Sequence, residues 1–190
     1  MGARLRGRLP APSVCVAITS TTSARPDDRR VRHRGDSDST RRGSVARLHA
    51  VPPRLVELVR LRIAFHNQCR SCMALRTASG AADGVTEDLV CSLEEPQEAP
   101  DLTGAEKAAL RYADLFATDH LAAGDAVFDL LRTHFGEPEI VELGVQIAVF
   151  VGFGRLSATW DVVDDLPERF HDRDAAVAPW GAGTVVADHR

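Results

Sequence analysis

Two cysteines in the stretch HNQCRSCMALR, residues 66–76, have the spacing that most clearly indicates chemistry. Cys69 and Cys72 are three residues apart, and His66 precedes the first of them by three residues. A Cys-x-x-Cys pair at a helix start favours redox chemistry, because unpaired backbone N–H groups and the helix dipole stabilise the reactive thiolate. At this spacing the second thiol can resolve a mixed disulfide that the first one makes.

Charged residues around the pair are candidates for tuning it. Arg70 and Arg76 add positive charge, which is predicted to lower the pKa of the thiols. Glu57 lies twelve residues before Cys69, on the preceding predicted helix. An antiparallel packing of the two helices would bring its carboxylate towards the sulfurs, where it could take part in proton transfer.

A cysteine pair at this spacing has two other uses, metal binding and filling of the core. Zinc needs four ligands, and the nearby helpers His66, His49 and Cys91 are not at zinc-finger spacing, so the sequence predicts no metal. Free cysteines are often buried as inert core residues. The Arg- and His-rich surroundings argue against that second use, which stays an alternative.

Composition and charge narrow the class of protein. The chain has 190 residues, enough for one domain with a sizeable core. Residues 1–50 carry 11 Arg and 4 Asp, whereas the rest carries 12 basic and 23 acidic residues, an acidic balance that predicts no nucleic-acid partner.

No uninterrupted apolar run reaches about 18 residues, so no membrane partner is predicted. The cysteine usage and the lack of a convincing signal peptide predict a cytoplasmic, reducing location.

The chain divides into three predicted segments. Residues 1–45 form a basic arm that is predicted to be disordered, because it cannot bury enough apolar area. A start codon assigned too far upstream, with Val45 as an alternative start, is the other explanation of this arm. Residues 46–168 are predicted to form the helical domain, and residues 169–190 a C-terminal tail in which Trp180 could act as an anchor.

Hydrophobic periodicity predicts about six helices and an all-α class. The first helix begins near Pro53, the second is expected to run over 69–84, and the third has Thr86 as its N-cap. The fourth begins with a capping box of Thr103 and Glu106.

The last two helices complete this pattern. The fifth, GDAVFDLLRTHFG, is closed by Gly136. The sixth, over about 137–163, is nearly all apolar and is expected in the core or at a subunit interface, with a break near Gly152 and Gly154.

An internal sequence similarity appears when the sequence is aligned with itself at a shift of 85 residues. PRLVELVRLRIAFHNQCRSC then lies over PEIVELGVQIAVFVGFGRLS, and Cys69 and Cys72 meet Gly154 and Ser157. A chance match between helical sequences and an internal duplication in which only the first copy holds thiols both explain the similarity.

The combination of Glu57, a Cys-x-x-Cys pair opening a helix and an all-α pattern over about 48–168 resembles the carboxymuconolactone decarboxylase and alkylhydroperoxidase D superfamily. The resemblance implies a thiol–disulfide oxidoreductase and weak, antioxidant peroxidase that acts on a hydroperoxide or a partner's disulfide. It also implies homo-oligomers. No phosphate-binding glycine loop is present, so no organic cofactor is expected. A decarboxylase-type lyase and a non-catalytic helical binding protein are the alternatives.

The family's relay histidine, four residues after the second cysteine, is replaced by Arg76. A guanidinium stays protonated and cannot shuttle protons. Either His66 supplies the imidazole, or the relay is absent and the protein is a slow peroxidase or a dithiol that exchanges with another protein. The order of attack stays open: the helix terminus favours Cys69 as the more exposed thiol, whereas the family relay favours Cys72.

Overall fold

The computed structural model describes residues 50–181, and these residues form helices joined by loops. The α-helices are α1 Pro53–His66, α2 Arg70–Ala74, α3 Ala78–Ala82, α4 Glu87–Cys91, α5 Gly104–Thr118, α6 Asp125–Arg132 and α7 Glu137–Trp160. Two 3-10 turns cover His120–Ala122 and Glu168–Phe170. The predicted all-α class is confirmed.

The predicted basic arm, residues 1–45, lies outside the described residues. The segment boundaries at 46–168 and 169–190 and the internal duplication stay predictions. The two similar segments each begin a helix with a proline in its first turn, Pro53 in α1 and Pro138 in α7.

Helix α1 lies at the centre and packs against α3, α5 and α7. Leu58, Val59, Leu61 and Ile63 are completely buried on it. A side chain of this size contributes about 1.5–3 kcal/mol when it is fully buried. The helix that precedes the cysteine pair is therefore held rigidly by the core.

Local capping signals in the sequence are confirmed. Thr86 accepts the N–H of Leu89 at the start of α4. Thr103 and Glu106 form the reciprocal capping box of α5. These caps satisfy backbone N–H groups that have no partner inside the helix.

The second predicted helix, 69–84, is wrong as a continuous element. Helix α2 ends at Ala74, and α3 begins at Ala78. Leu75 and Thr77 between them are extended, with ψ of 142° and 138°. Their backbone groups bond to side chains of α1 instead of continuing a helix.

Helix α7 is continuous through Gly152 and Gly154, so the predicted break is also wrong. A Cβ on Gly154 would approach the Asn67 Nδ2 atom to 2.5 Å, whereas one on Gly152 would meet open space. Asn67 Nδ2 donates to the Phe150 carbonyl at 3.1 Å. Gly154 therefore allows the end of α1 to approach α7 closely.

Helix α7 buries only one side. Ile140, Leu143, Ile147 and Val151 belong to the core. The opposite side carries an exposed apolar stripe, here called the α7 stripe: Val141, Val145, Val149, Phe153, Leu156 and Trp160, each 49–65% exposed. By length and composition alone the helix is also apolar enough to cross a membrane, a test that core helices of soluble proteins pass as well.

Candidate active site around the cysteine pair

A tight turn places the cysteine pair directly after α1. Gln68 has a φ of 49°, in the left-handed region that non-glycine residues seldom occupy. Its Nε2 donates to the carbonyls of Phe65 at 2.8 Å and Val177 at 3.1 Å, and its Oε1 accepts the Val177 N–H at 3.1 Å. These bonds offset the unfavourable backbone conformation and fix the position of the next residue, Cys69.

Cys69 and Cys72 form a disulfide, with Cα atoms 5.2 Å apart. Cys69 is the N-cap of α2, and its sulfur accepts the Cys72 N–H at 3.4 Å. Cys69 is completely buried, whereas Cys72 is partly exposed. The expectation that Cys69 is the more exposed thiol is wrong, because the turn folds Cys69 back under α1, where its N–H bonds to the Ala64 carbonyl.

Cys72 lies at the edge of a largely apolar cavity of about 280 Å³, here called the Cys72 cavity. The walls come from α1, from the loop after α2 and from α7. They consist of Arg60, Ala64, Cys72, Leu75, Thr77, Phe150, Phe153 and Gly154. Cys72 thus borders a cavity that Cys69 does not line.

At the wall of this cavity, Arg60 forms an ion pair with the buried Glu57. Arg60 Nε and Nη2 donate to the two Glu57 carboxylate oxygens at 2.7 and 2.8 Å. The Thr77 N–H and hydroxyl donate to the same carboxylate at 3.0 and 2.9 Å. Arg60 also donates to the carbonyls of Cys72 and Leu75, each at 2.8 Å. The pair therefore ties α1 to both ends of the loop that follows the cysteines.

The Glu57 carboxylate is ionised at neutral pH in this setting. Burial alone would raise the pKa of Glu57, but the hydrogen bonds and charge of Arg60, with the bonds from Thr77, outweigh burial and lower it. Its hydrogen bonds go to Arg60 and Thr77, not to the sulfurs. Proton transfer by Glu57 stays a prediction, while its contacts fit a role in orienting Arg60.

Gly80 is required beside this ion pair. A Cβ on Gly80 would come within 2.7 Å of the Glu57 Cβ and Cγ atoms. We expect Gly80→Ala to destabilise the fold by about 1–3 kcal/mol through overpacking, measured as the free energy of unfolding in urea. The matched control is Gly152→Ala, also in a helix but facing open space, which should stabilise by up to about 1 kcal/mol. Equal effects from the two substitutions would contradict the close approach.

His66 is held away from the Cys72 cavity. Its Nε2 lies 2.6 Å from Asp114 Oδ1 on α5, and Arg62 Nε donates to the same oxygen at 2.6 Å. Burial would raise the pKa of Asp114, but the bonds from His66 and Arg62 lower it overall. His66 does not line the cavity. Its predicted role as a replacement relay is not tested by this placement.

Arg70 and Arg76 are engaged with other groups than the sulfurs. Arg70 Nη2 donates to three carbonyls of the tail, those of Asp172, Arg173 and Ala175. Arg76 is buried and forms a bidentate ion pair with Glu87, while also donating to the carbonyls of Met73, Leu75 and Pro179. Both guanidinium groups thus fasten the tail onto the region around α2. The predicted lowering of the thiol pKa by Arg70 and Arg76 stays a prediction.

The tail packs on the end of α1 as well. The Trp180 ring lies on that of Phe65, with centroids 4.8 Å apart. The described part of the tail therefore packs against the end of the helix that precedes the cysteine pair.

Arg60 is the site residue that sequence reasoning missed. Glu57 and Arg60 are three residues apart on one helix, so their side chains share a face. A carboxylate followed three residues later by a guanidinium on one helix was the available signal. What the sequence could not reveal is that the same guanidinium reaches the carbonyl of Cys72 twelve residues later.

A model of the carboxymuconolactone decarboxylase family matches residues 39–115 of the chain. Two curated proteins of Mycobacterium tuberculosis are 41% identical over 106 residues: Uncharacterized protein MT2376, from strain CDC 1551 / Oshkosh, and Uncharacterized protein Rv2313c, from strain ATCC 25618 / H37Rv. The aligned part is 55% of this chain but only 37% of each relative, so the chain spans little more than a third of their length.

A solved structure supports the fold. It is a crystal structure of a protein of unknown function from Agrobacterium tumefaciens, ATU0492, described as a candidate antioxidant defence protein AhpD. It matches with a TM-score of 0.54 and 23% identity, over 68% of this chain and 94% of that chain. The family match and the fold match confirm that the chain resembles the carboxymuconolactone decarboxylase and alkylhydroperoxidase D superfamily.

Proposed function

We propose that the protein is a thiol–disulfide oxidoreductase that reduces hydroperoxides, or the disulfide of a partner protein, with Cys69 and Cys72. The observation that carries the proposal is the asymmetry of the pair: Cys72 lines a cavity, whereas Cys69 is completely buried within disulfide distance of it. This asymmetry suits Cys72 as the attacking thiol and Cys69 as the resolving thiol. The fold resemblance to a candidate AhpD protein supports the same chemistry.

In the proposed reaction the Cys72 thiolate attacks one peroxide oxygen, an S–O bond forms, and the O–O bond breaks. The leaving alkoxide takes a proton from water and becomes an alcohol. Cys69 then attacks the sulfur of the Cys72 sulfenic acid, the disulfide forms, and hydroxide leaves with the thiol proton as water. Two electrons pass from the dithiol to the peroxide, and an external dithiol returns them. We place this cycle in the cytoplasm, where such reductants keep thiols reduced.

Two alternatives lead to different observations. A lyase of the decarboxylase type needs an acid or base beside its substrate. Among the described side chains that line the Cys72 cavity, only Arg60 and Cys72 ionise, and Arg60 cannot act as a base. A non-catalytic binding protein would have thiols that alkylate only slowly near neutral pH.

Turnover assays distinguish these functions. The reduced protein is supplied with a dithiol and either an organic hydroperoxide, a small disulfide or a muconolactone, and the product is quantified against the dithiol alone. We expect reduction of the hydroperoxide or the disulfide and loss of that activity in Cys72→Ser. Lactone turnover that survives both Cys69→Ser and Cys72→Ser would replace the oxidoreductase proposal with the lyase.

We further propose that the protein forms a homo-oligomer through the α7 stripe. The six stripe residues present on the order of 600 Å² of apolar surface, close to the roughly 800 Å² that each partner buries in a standard interface. Arg155 is the only basic residue of α7, which suits a second copy better than an anionic membrane surface. Phe153 belongs to both the stripe and the Cys72 cavity, so a second copy would pack beside the cavity and contact its Phe153 wall.

The mass in solution tests this assembly. We expect a multiple of 20.6 kDa for the protein by light scattering at micromolar concentration, and 20.6 kDa for Val149→Glu, which places a charge within the stripe. Leu121→Glu is the control, because Leu121 is 85% exposed and lies off the stripe. A native mass of 20.6 kDa, or an equal response of both variants, would rule out the assembly through α7.

A further inference from the structure

Arg60 has one hydrogen-bond donor left over beside Cys72. A guanidinium carries five N–H bonds. Nε and one Nη2 hydrogen are used on Glu57, the other Nη2 hydrogen on the Leu75 carbonyl, and one Nη1 hydrogen on the Cys72 carbonyl. Within residues 50–181 no partner accepts the second Nη1 hydrogen. The unused donor therefore belongs to Nη1, the nitrogen that also donates to the Cys72 carbonyl.

The other described polar groups near the cavity have no unused hydrogen-bond donor that could bond to Cys72, as the contacts of Thr77 and Glu57 indicate. The Thr77 hydroxyl donates its hydrogen to Glu57 Oε2 at 2.9 Å. Glu57 itself is 2% exposed and does not line the cavity, so of the two ion-pair partners only Arg60 belongs to the cavity wall. Among the described side chains that line the cavity, Arg60 is thus the one with a donor to spare.

We propose that Arg60 stabilises negative charge at Cys72, with its remaining Nη1 hydrogen bonding first to the thiolate and then to the peroxide oxygen that leaves. This inference rests on the proposed function and extends it to a residue that takes over the electrostatic role of a relay group without moving a proton. The alkoxide is protonated by water, because a guanidinium keeps its own protons.

The setting makes this single donor effective. A charge-assisted hydrogen bond is about twice as strong as a neutral one, and an apolar, water-poor wall strengthens it further. Glu57 and Thr77 fix the opposite edge of the guanidinium, so Arg60 is oriented before any charge develops at the sulfur. Such pre-organisation is what distinguishes a positioned cation from a mobile surface one.

No other charged group from the surrounding elements faces Cys72 in the described structure. On α2, Arg70 donates to carbonyls of the tail. In the loop after α2, Arg76 is paired with Glu87. The residues of α7 that line the cavity are Phe150, Phe153 and Gly154, which do not ionise. A change at Arg60 should therefore appear directly in the titration of Cys72.

The experiment measures the rate at which iodoacetamide alkylates Cys72 in the reduced protein as a function of pH, by peptide mass. Arg60→Lys keeps a charge for Glu57 but cannot reach both that carboxylate and the sulfur. We expect it to raise the apparent pKa of Cys72 by about one unit and to slow alkylation at neutral pH about tenfold. The double variant Glu57→Gln with Arg60→Met, which leaves no unpaired buried charge, should show the same shift.

Arg62→Lys is the matched control. Arg62 lies on the same helix, is 13% exposed against 12% for Arg60, and likewise makes a bidentate bond to a carboxylate, that of Asp114, and a bond to a carbonyl. It does not line the cavity, so the titration of Cys72 should not change.

Equal titration curves for Arg60→Lys and Arg62→Lys would overturn the inference. The assay needs no turnover, so it is independent of the proposed reaction. A protein that reduces neither peroxide nor disulfide, yet shows the Arg60-dependent shift, would lack the proposed function and keep this electrostatic role. Turnover of peroxide or disulfide together with an unchanged pKa of Cys72 in Arg60→Lys would support the proposed function and overturn the role of Arg60.

Discussion

Replacing Cys72 with serine is expected to reduce hydroperoxide turnover by at least about a thousandfold, because serine is not an effective nucleophile without an adjacent base. Cys69→Ser is expected to behave differently. It leaves the thiol at the cavity intact, so one peroxide is reduced per protein, but the sulfenic acid at Cys72 can no longer be resolved as a disulfide. The difference follows from the complete burial of Cys69 and the position of Cys72 at the cavity.

Single-turnover kinetics and a sulfenic-acid trapping reagent measure this difference. We expect a trapped adduct on Cys72 in Cys69→Ser and none on Cys69 in Cys72→Ser. Ser79→Ala, a small change at an exposed position of α3, is the control and should keep multiple turnover. An adduct on Cys69 instead would contradict the assignment of Cys72 as the attacking thiol.

Glu57→Gln is expected to destabilise the fold by about 3–5 kcal/mol, because it leaves the Arg60 charge buried without a counter-ion. Arg60 is 12% exposed and Glu57 2%, so water can replace little of the lost interaction. A typical domain has only about 5–15 kcal/mol of stability, so the loss is large. The free energy of unfolding at pH 7, from urea denaturation, gives the value.

The loss should depend on pH. Burial raises the pKa of Glu57, but Arg60 and Thr77 outweigh it, so the folded-state pKa lies below that of the unfolded chain. The stability contributed by Glu57 is therefore fully present above about 4.3, the ordinary glutamate pKa, and is lost as the pH falls through the folded-state pKa. The difference between the native protein and Glu57→Gln should accordingly shrink in acid.

Glu106→Gln is the matched control for this prediction. Burial also raises the pKa of Glu106, and bonds from Arg54 and Thr103 again lower it overall. Its partner Arg54 is 29% exposed, so water can solvate the charge that is left behind. We expect a loss of about 1–2 kcal/mol. A loss from Glu57→Gln no larger than this would contradict the structural importance of the Glu57–Arg60 pair.

Features that depend on neighbouring residues were predicted well from the sequence. The Thr86 cap and the capping box of Thr103 and Glu106 are determined within one helical turn, and both are confirmed. The placement of Cys69 at a helix start is confirmed for the same reason. The continuity of α7 was not predicted. Gly154 lies where Asn67 approaches the helix too closely for a Cβ, and it does not break the helix.

Features set by distant contacts were not predictable in this way. The loop between α2 and α3 is extended because Arg60 and Glu57 bind its backbone, and the sequence pattern alone favours a continuous helix there. Arg76 occupies the position of the family's histidine, yet it turns to Glu87 and the tail. The relative exposure of the two cysteines depends on how α1 and α7 pack over them.

Peptide mapping of the thiols after oxidation by hydroperoxide tests the central claim most directly. The protein is reduced, freed of reductant, mixed with one equivalent of an organic hydroperoxide, and alkylated under denaturing conditions. We predict that the labels on Cys69 and Cys72 disappear together and return after treatment with a dithiol. Full labelling of both cysteines after exposure to the hydroperoxide would contradict a peroxide-reactive pair.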